Sequence, residues 1–489
     1  MVMSEEKKVV KVKLVKHEWP DERQARHRKY IKRALGVVLA VVLFLGGMTA
    51  GALIAQPQDS KSLTSSKLNM ILKIMNELWY FGDEIDDLST ELLDDAIYGI
   101  TTQEIDIHTQ YLDSEYAQQF LSSMEGAFVG IGVQYSTATQ DYIILRVFKD
   151  SPAENAGMRV GDIIRKVDGV AVEEIEDISG AVKGEAGSQV TITVQRGNEM
   201  LDLECIRGDV NSSANGYVSG DVGVLEILTV ADNTASVVGE ILADFEEQGI
   251  KKILIDLRDN GGGYLTSVVD IASYFLPKGS IVLQEQDKDK NIIEDRTNSD
   301  IEPYEYDQIE VLINQDTASA AEVLALALKE TLNATIIGDV SYGKGTIQTT
   351  IPFSDGSMLK YTKAIWLSPN GNSINNVGIT PDILVETEEA LLTAAPQDFD
   401  PVSVDSVSTA CQVMQIYLDY LGYDIDRQDG YFSTQTLQAM RQFEADYGLE
   451  AQDELDDELL TVILSKVIYV SRVDESKDIQ KIRALEEFK

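Results

Sequence analysis

Residues Ala34 to Ala55, ALGVVLAVVLFLGGMTAGALIA, run for 22 residues without a charge, and nothing else in the chain constrains its layout so strongly. A stretch this long and apolar crosses a hydrocarbon layer as a helix. Arg26, Arg28, Lys29, Lys32 and Arg33 stand just before it, and positive residues stay on the cytoplasmic side. The expectation is a basic cytoplasmic tail over 1–33, a single transmembrane anchor over 34–55 and a body outside the cytoplasm. Ala50-Gly51-Ala52 also reads as a signal-peptide processing site, but the basic region ahead of it is long for a signal peptide.

Charge separates the same two parts. Residues 1–33 carry eleven Lys+Arg against five Asp+Glu, a net of +6, and the remainder carries 30 against 77, a net of −47. A body so acidic repels phosphate backbones, which argues against nucleic acid as a partner. With 489 residues, 44% of them hydrophobic and 25% charged, the chain should hold about three folded domains. Cys205 and Cys411 lie far apart and suggest neither a disulfide framework nor a metal cluster.

The chemistry concentrates in Asn314 to Gln348. Small residues, Thr317-Ala318-Ser319-Ala320-Ala321, lead into an apolar helix over Val323 to Leu332. A strand-like run, Ala334 to Gly338, follows, and then Gly343-Lys344-Gly345. Only three histidines occur, His17, His27 and His108, and the first two precede the apolar stretch. His108, with Asp106 beside it, reads as a packing or surface residue. A serine needing an imidazole base therefore has almost no candidate. A lysine amine takes that role when burial disfavours its charged form. Lys344, flanked by glycines that allow close approach, is placed for it, and Gln348 lies in the next strand, Thr346 to Ile351, where its amide could orient the amine. On local sequence alone, Ser319 and Lys344 would serve equally as a helix N-cap and a hairpin lysine.

TASAAE followed by YGKGTIQ resembles the carboxyl-terminal processing (tail-specific) serine proteases. That resemblance implies a nucleophile at Ser319, a general base at Lys344 and an orienting glutamine at Gln348. The pattern from Tyr217 to about Glu388 is α/β: a strand at Gly223–Ile227, a helix over Thr234–Gln248 and a buried strand over Lys252–Leu257 that runs into Arg258-Asp259-Asn260-Gly261-Gly262-Gly263. The family resembles this turn with RxNPGG, which implies oxyanion donors at the N–H groups of Gly262 and Ala320. Gly261 replaces the usual proline, leaving the assignment open among the three glycines. Ser368 to Ile374 and Gly378 to Asp382 resemble the family's closing signature. Ser357-Met358-Leu359-Lys360 matches SxxK formally, without a KTG partner.

Three flanking segments complete the plan. Residues 60–124 show helical spacing, Leu68, Ile71, Leu72, Met75 and Leu78, and read as a helical arm or dimerisation segment. Residues 126–206 resemble a PDZ domain through SPAENAGM, GDIIRKVDG and the Gly130-Ile131-Gly132-Val133 loop, which would bind a peptide carboxylate ahead of a strand that accepts an extended tail. After a linker at 391–405, residues 406–470 resemble a small helical peptidoglycan-binding domain, with Ser433 where glycine is usual and Glu444 where glutamine is usual.

The expected fold is thus multidomain α+β: N-terminal membrane helix, helical arm, PDZ β-domain, α/β Ser/Lys protease core over 217–390 and a small C-terminal helical domain. The expected activity is that of an extracytoplasmic serine endopeptidase in a bacterial cell membrane, acting on proteins with exposed apolar C-termini. Peptidoglycan binding and a homodimer are expected, and no metal or organic cofactor. The rival is a catalytically silent scaffold that holds protein tails and cell wall.

Overall fold

The computed structural model describes residues 60–124, 126–139 and 141–488. The expected tail and anchor, 1–33 and 34–55, lie outside the described residues. Among those described, no helix is long and apolar enough to cross a membrane. The chain divides into two compact units, Met1–Ala96 and Ile97–Lys489. In the first, the helix Ser60–Leu78 leaves Met70, Ile71, Ile74 and Leu78 exposed.

The second unit is built on a six-stranded sheet in the order Ala214–Ser219, Val222–Ile227, Lys252–Asp256, Gln308–Ile313, Thr335–Gly338, Ile383–Leu384. Only the first pair is antiparallel. Its central strands are mostly apolar on both faces, broken by Glu226 and Glu310, because both faces are covered, the condition that parallel sheets require. Ile253, Ile255, Val311, Ile313 and Ile336 point to one side, under the helices Thr234–Glu247, Leu265–Ser273 and Ala320–Leu332. Leu254, Leu312 and Ile337, at the alternate positions, point to the other side.

That other side is closed by the end of the chain. The helix Ile479–Glu486 lays Ala484 against it, and Phe488 follows. Gln308 Nε2 and Lys252 Nζ each donate 2.9 Å bonds to the carbonyls of Glu487 and Phe488. The C-terminal helical domain, Thr409–Tyr420, Thr434–Tyr447 and Asp457–Val473, packs around Met414, Tyr417, Phe432, Phe443 and Ile463. It therefore extends past the expected limit at 470 and ends as part of the protease core. The reason is the uncovered sheet face, which only a further apolar element can bury.

A second sheet sets Met358–Leu367 between neighbours, with Thr346–Pro352 on one edge and Ile281–Asp287 on the other. Residues Gln110–Leu112 extend it by pairing antiparallel with Met358–Lys360. The segment 60–124 is thus not helical throughout. Tyr111, 6% exposed, anchors this short strand against Tyr98 and Phe353. The PDZ domain carries a four-stranded sheet, in the order Val170–Ala171, Ile163–Val167, Gln189–Arg196, Glu199–Ile206, over its own core of Ile131, Ile144, Ile164 and Ile192.

Candidate active site

Three loops leave the carboxyl ends of three adjacent parallel strands, the edge at which such sheets bind their ligands. The middle one, Asn314 to Ser319, follows Gln308–Ile313 and delivers Ser319 to the start of the helix Ala320–Leu332. Its neighbour on one side is the Leu257–Gly263 loop, and on the other the Asp339–Gly345 loop that carries Lys344. Sheet order alone therefore brings together the three motifs that lie apart in sequence.

Ser319 holds φ 56° and ψ −119°, a conformation that a residue with a side chain adopts only under constraint. The surroundings impose it. Thr317 Oγ1 donates to the Leu257 carbonyl at 2.8 Å, Ala318 N–H donates to the Asn260 carbonyl at 2.9 Å, and Ser319 N–H donates to Glu322 Oε2 at 2.8 Å. The sharp strand-to-helix turn leaves Ser319 half-buried while Ala318, Ala320 and Ala321 are buried. Ser319 is thereby raised on the turn among small neighbours.

Glu322 ties this turn to the Lys344 loop. It is fully buried, one turn into the nucleophile helix. Oε2 accepts from Ser319 N–H and from Lys344 N–H at 2.9 Å, and Oε1 accepts from Gly343 N–H at 2.7 Å and Ser341 Oγ at 2.5 Å. Burial pushes its carboxyl above the ordinary value, against the pull of those four hydrogen bonds. Sequence reasoning passed over Glu322, although Ser319-x-x-Glu322 has the capping-box spacing that would have drawn attention to it.

Lys344 itself is half-buried, and among the described residues its amine has neither a hydrogen bond nor an ion pair. Burial pushes its pKa below that of an ordinary lysine, the charge of Lys360 adds to the shift, and Glu322 opposes it. No hydrogen bond joins Ser319 Oγ to the amine in this structure, and such contacts often tighten only with substrate in place. Gln348 donates through Nε2 to Thr346 Oγ1 at 2.9 Å and Thr362 Oγ1 at 3.2 Å. Trp366 Nε1 holds the Lys344 carbonyl at 2.8 Å.

The glycine turn lies against Ser319. At Gly262, φ 96°, a Cβ would stand 2.8 Å from Ser319 Cβ and 2.9 Å from Ala320 N. At Gly263, φ 150°, it would strike the Val230 carbonyl oxygen at 2.0 Å, whereas at Gly261 it would meet nothing. Gly262 N–H donates to Asn260 Oδ1 at 2.8 Å, and Ala320 N–H has no acceptor among the described residues. Ser357, of the formal SxxK, is buried and hydrogen-bonded to Asp355 in a turn.

In the PDZ domain, Gly130 ends the strand Ala127–Gly130, Ile131 is buried, and Val133 opens the strand Val133–Tyr135. Gly132, φ 84°, sits where a Cβ would be 2.3 Å from Ser151 Cβ. Among the described residues the N–H groups of Ile131 and Gly132 have no acceptor, and Val133–Tyr135 is paired on one edge only, with Ile144–Val147. In the last domain Ser433 caps the helix Thr434–Tyr447 through Thr436 N–H at 3.0 Å. Glu444 is fully buried. Its Oε1 accepts from Gln452 N–H, and its Oε2 lacks a donor.

Comparison with known proteins agrees with this division. Residues 221–385 match peptidase family S41, residues 143–196 a PDZ domain, and residues 408–463 a "Putative peptidoglycan binding domain". A "Probable CtpA-like serine protease" of Staphylococcus epidermidis is 30% identical over 446 residues, covering 88% of this chain and 90% of its own. One of the same description from Staphylococcus aureus strain N315 is 30% identical over 449 residues, covering 89% of this chain and 90% of its own. Among solved structures, the photosystem II D1 C-terminal processing protease is 25% identical, with a TM-score of 0.38, covering 67% of this chain and 94% of its own. The chain belongs to peptidase family S41, as a serine-type carboxyl-terminal processing protease with PDZ and peptidoglycan-binding domains.

Proposed function

We propose that this protease works with a Ser319/Lys344 dyad, outside the cytoplasm, on proteins that its PDZ domain selects by an exposed apolar C-terminal tail. The observation that carries the dyad is the shared acceptor: one buried oxygen, Glu322 Oε2, takes the N–H of both Ser319 and Lys344. A lysine so placed, desolvated and without a counter-ion, is a base rather than a salt-bridge partner.

The neutral Lys344 amine takes the Ser319 hydroxyl proton as Oγ attacks the scissile carbonyl. The developing oxyanion draws on the Ala320 N–H and on Gly262, whose N–H would turn from Asn260 Oδ1 to the substrate. The lysine then returns its proton to the leaving amine, and water hydrolyses the acyl-enzyme by the same base. Gln348 steadies the amine. The tail would add to the free edge of Val133–Tyr135 with its carboxylate on the Ile131 and Gly132 N–H groups. Anchoring through 34–55, homodimer formation through the 60–124 segment and wall binding through 406–470 belong to the same reading.

The test is digestion of an unfolded protein bearing an apolar C-terminus by the detergent-solubilised full chain and its Ser319→Ala and Lys344→Ala variants, with fragments read by mass spectrometry. Cleavage by the parent alone is expected. Equal cleavage by all three would reject the dyad. Binding of the tail without cleavage by any would favour the scaffold.

A further inference from the structure

Beside the dyad lies a network of hydrogen bonds that starts in another part of the chain. Asp106, in the turn before Gln110–Leu112, accepts from Thr109 Oγ1 at 2.6 Å on Oδ2. On Oδ1 it accepts from Thr362 Oγ1 at 3.1 Å and His108 N–H at 3.2 Å. Thr362, on the strand Met358–Leu367, passes its backbone N–H to Thr109 Oγ1 at 3.1 Å, and its hydroxyl accepts from Gln348 Nε2 at 3.2 Å. The charge of Lys344 reaches this cluster, since it depresses His108 after burial has done so.

The directions of these bonds are not interchangeable. An ionised carboxylate accepts only. Thr362 must therefore give its one hydroxyl proton to Asp106, which leaves the hydroxyl oxygen as an acceptor for Gln348. Gln348 must in turn present its NH2 group to Thr362 and Thr346, and its Oε1, which has no donor among the described residues, is left free. An amide turned the other way would put NH2 where Oε1 now lies, and an NH2 group cannot accept from an ammonium.

We infer that Asp106 and Thr362 are positioning residues of the dyad: through a one-way relay they fix the flip of Gln348, so that its carbonyl oxygen, not its amide nitrogen, is offered to the Lys344 amine. This rests on the Ser319/Lys344 reading. Burial pulls the Asp106 carboxyl up, and the bonds from Thr109, Thr362 and the backbone outweigh it, so that the group stays below its ordinary value and ionised where the enzyme works.

The experiment is a double-mutant cycle on the full chain. Thr362→Val and Asp106→Asn are measured alone and combined with Gln348→Ala, with kcat and KM on a peptide substrate. Alone, each is expected to lower kcat by about tenfold to 10²-fold, the scale of a misplaced catalytic group, with KM unchanged. Combined with Gln348→Ala, neither should lower kcat further, because both act through that side chain. Thr362→Ser should recover most of the rate lost in Thr362→Val. Additive losses, a change confined to KM, or a Thr362→Ser variant as slow as Thr362→Val would overturn the relay. Thermal unfolding separates a folding defect, for which Thr362→Ser serves as the reference. Lys344→Ala, run beside them, keeps the two claims apart: a fully active Lys344→Ala sinks the dyad itself, whatever the cycle shows.

Discussion

Arg258 and Lys344 are both partly buried cations on loops at the carboxyl end of the core sheet, and the protein treats them in opposite ways. Arg258 is held by two carboxylates. Its Nη2 meets Asp256 Oδ2 at 2.6 Å and Asp478 Oδ2 at 2.9 Å, and Nη1 meets Asp478 Oδ1 at 2.7 Å. Burial works against its charge, but the two aspartates outweigh it and hold the guanidinium well above its ordinary value. Lys344 receives no such partner, and burial and Lys360 push it down. Two partly buried cations thus end differently, one held charged by its partners and the other, on the proposed mechanism, free to act as a base. Arg258 keeps its charge because a guanidinium holds its proton and two carboxylates add to that, whereas at Lys344 burial leads and no carboxylate pairs with the amine among the described residues.

The strongest way to break the contrast is Lys344→Arg. A guanidinium cannot lose its proton in the working range, so the variant keeps the charge and loses the base. The rate should fall on the order of 10³-fold or more, the upper part of what a general base contributes. The melting temperature should stay near that of the parent. Digestion rates beside a thermal melt check it, and an active Lys344→Arg would mean that the residue positions substrate rather than accepting a proton.

At Arg258 the same logic predicts stability instead of chemistry. Asp478 lies at the start of the helix Ile479–Glu486, which closes the far face of the sheet, and it also accepts Lys481 N–H at 3.0 Å as that helix's cap. Asp478→Ala should cost about 1.5–3 kcal/mol, the range for a hydrogen bond to a charged group, because Asp256 keeps half of the arrangement. Denaturant unfolding measures it. A smaller loss of kcat should accompany it, since Arg258 is followed by the turn that carries Gly262. A variant as stable as the parent would show that the C-terminal helix docks through Ala484, Phe488 and the bonds from Gln308 and Lys252 without help from Asp478.

These two sites also show where sequence reading reaches and where it stops. The loops that carry Ser319, Lys344 and the glycines stood out in sequence because each holds a short motif of small residues with a local reason: φ 56° at Ser319, and a Cβ clash at Gly262 and Gly263. Of the six-stranded sheet, the strands near 223–227, 252–257 and 334–338 were legible as apolar runs, and the other three were not. Asp106 and Thr362 were not, because the pair meets across 256 residues and no local motif links the two. The strand Gln110–Leu112, three residues long, has no alternation to read. The helix Ile479–Glu486 has an apolar face, but its sequence does not say which surface that face covers, and the sheet that needed a cover is assembled from strands that all end by Leu384, far earlier in the chain.

The finest test concerns how Lys344 is kept low. Burial leads, Lys360 adds a like charge, Glu322 opposes, and His108 faces the same amine. Lys360 is itself pushed down by burial and lies over the Phe120 ring. Catalysis needs the neutral amine, so the rate rises with pH as Lys344 loses its proton, and a lower pKa moves that rise to lower pH. Lys360→Met removes a charge that disfavours the ammonium, so the Lys344 pKa should climb and the acid limb of kcat should shift to higher pH, with the plateau rate little changed. A limb that stays in place would leave burial as the sole cause of the shift. A limb displaced to lower pH would mean that opening this strand changes the solvation of Lys344 more than its electrostatics, and the contrast with Arg258 would then rest on access of water rather than on neighbouring charge.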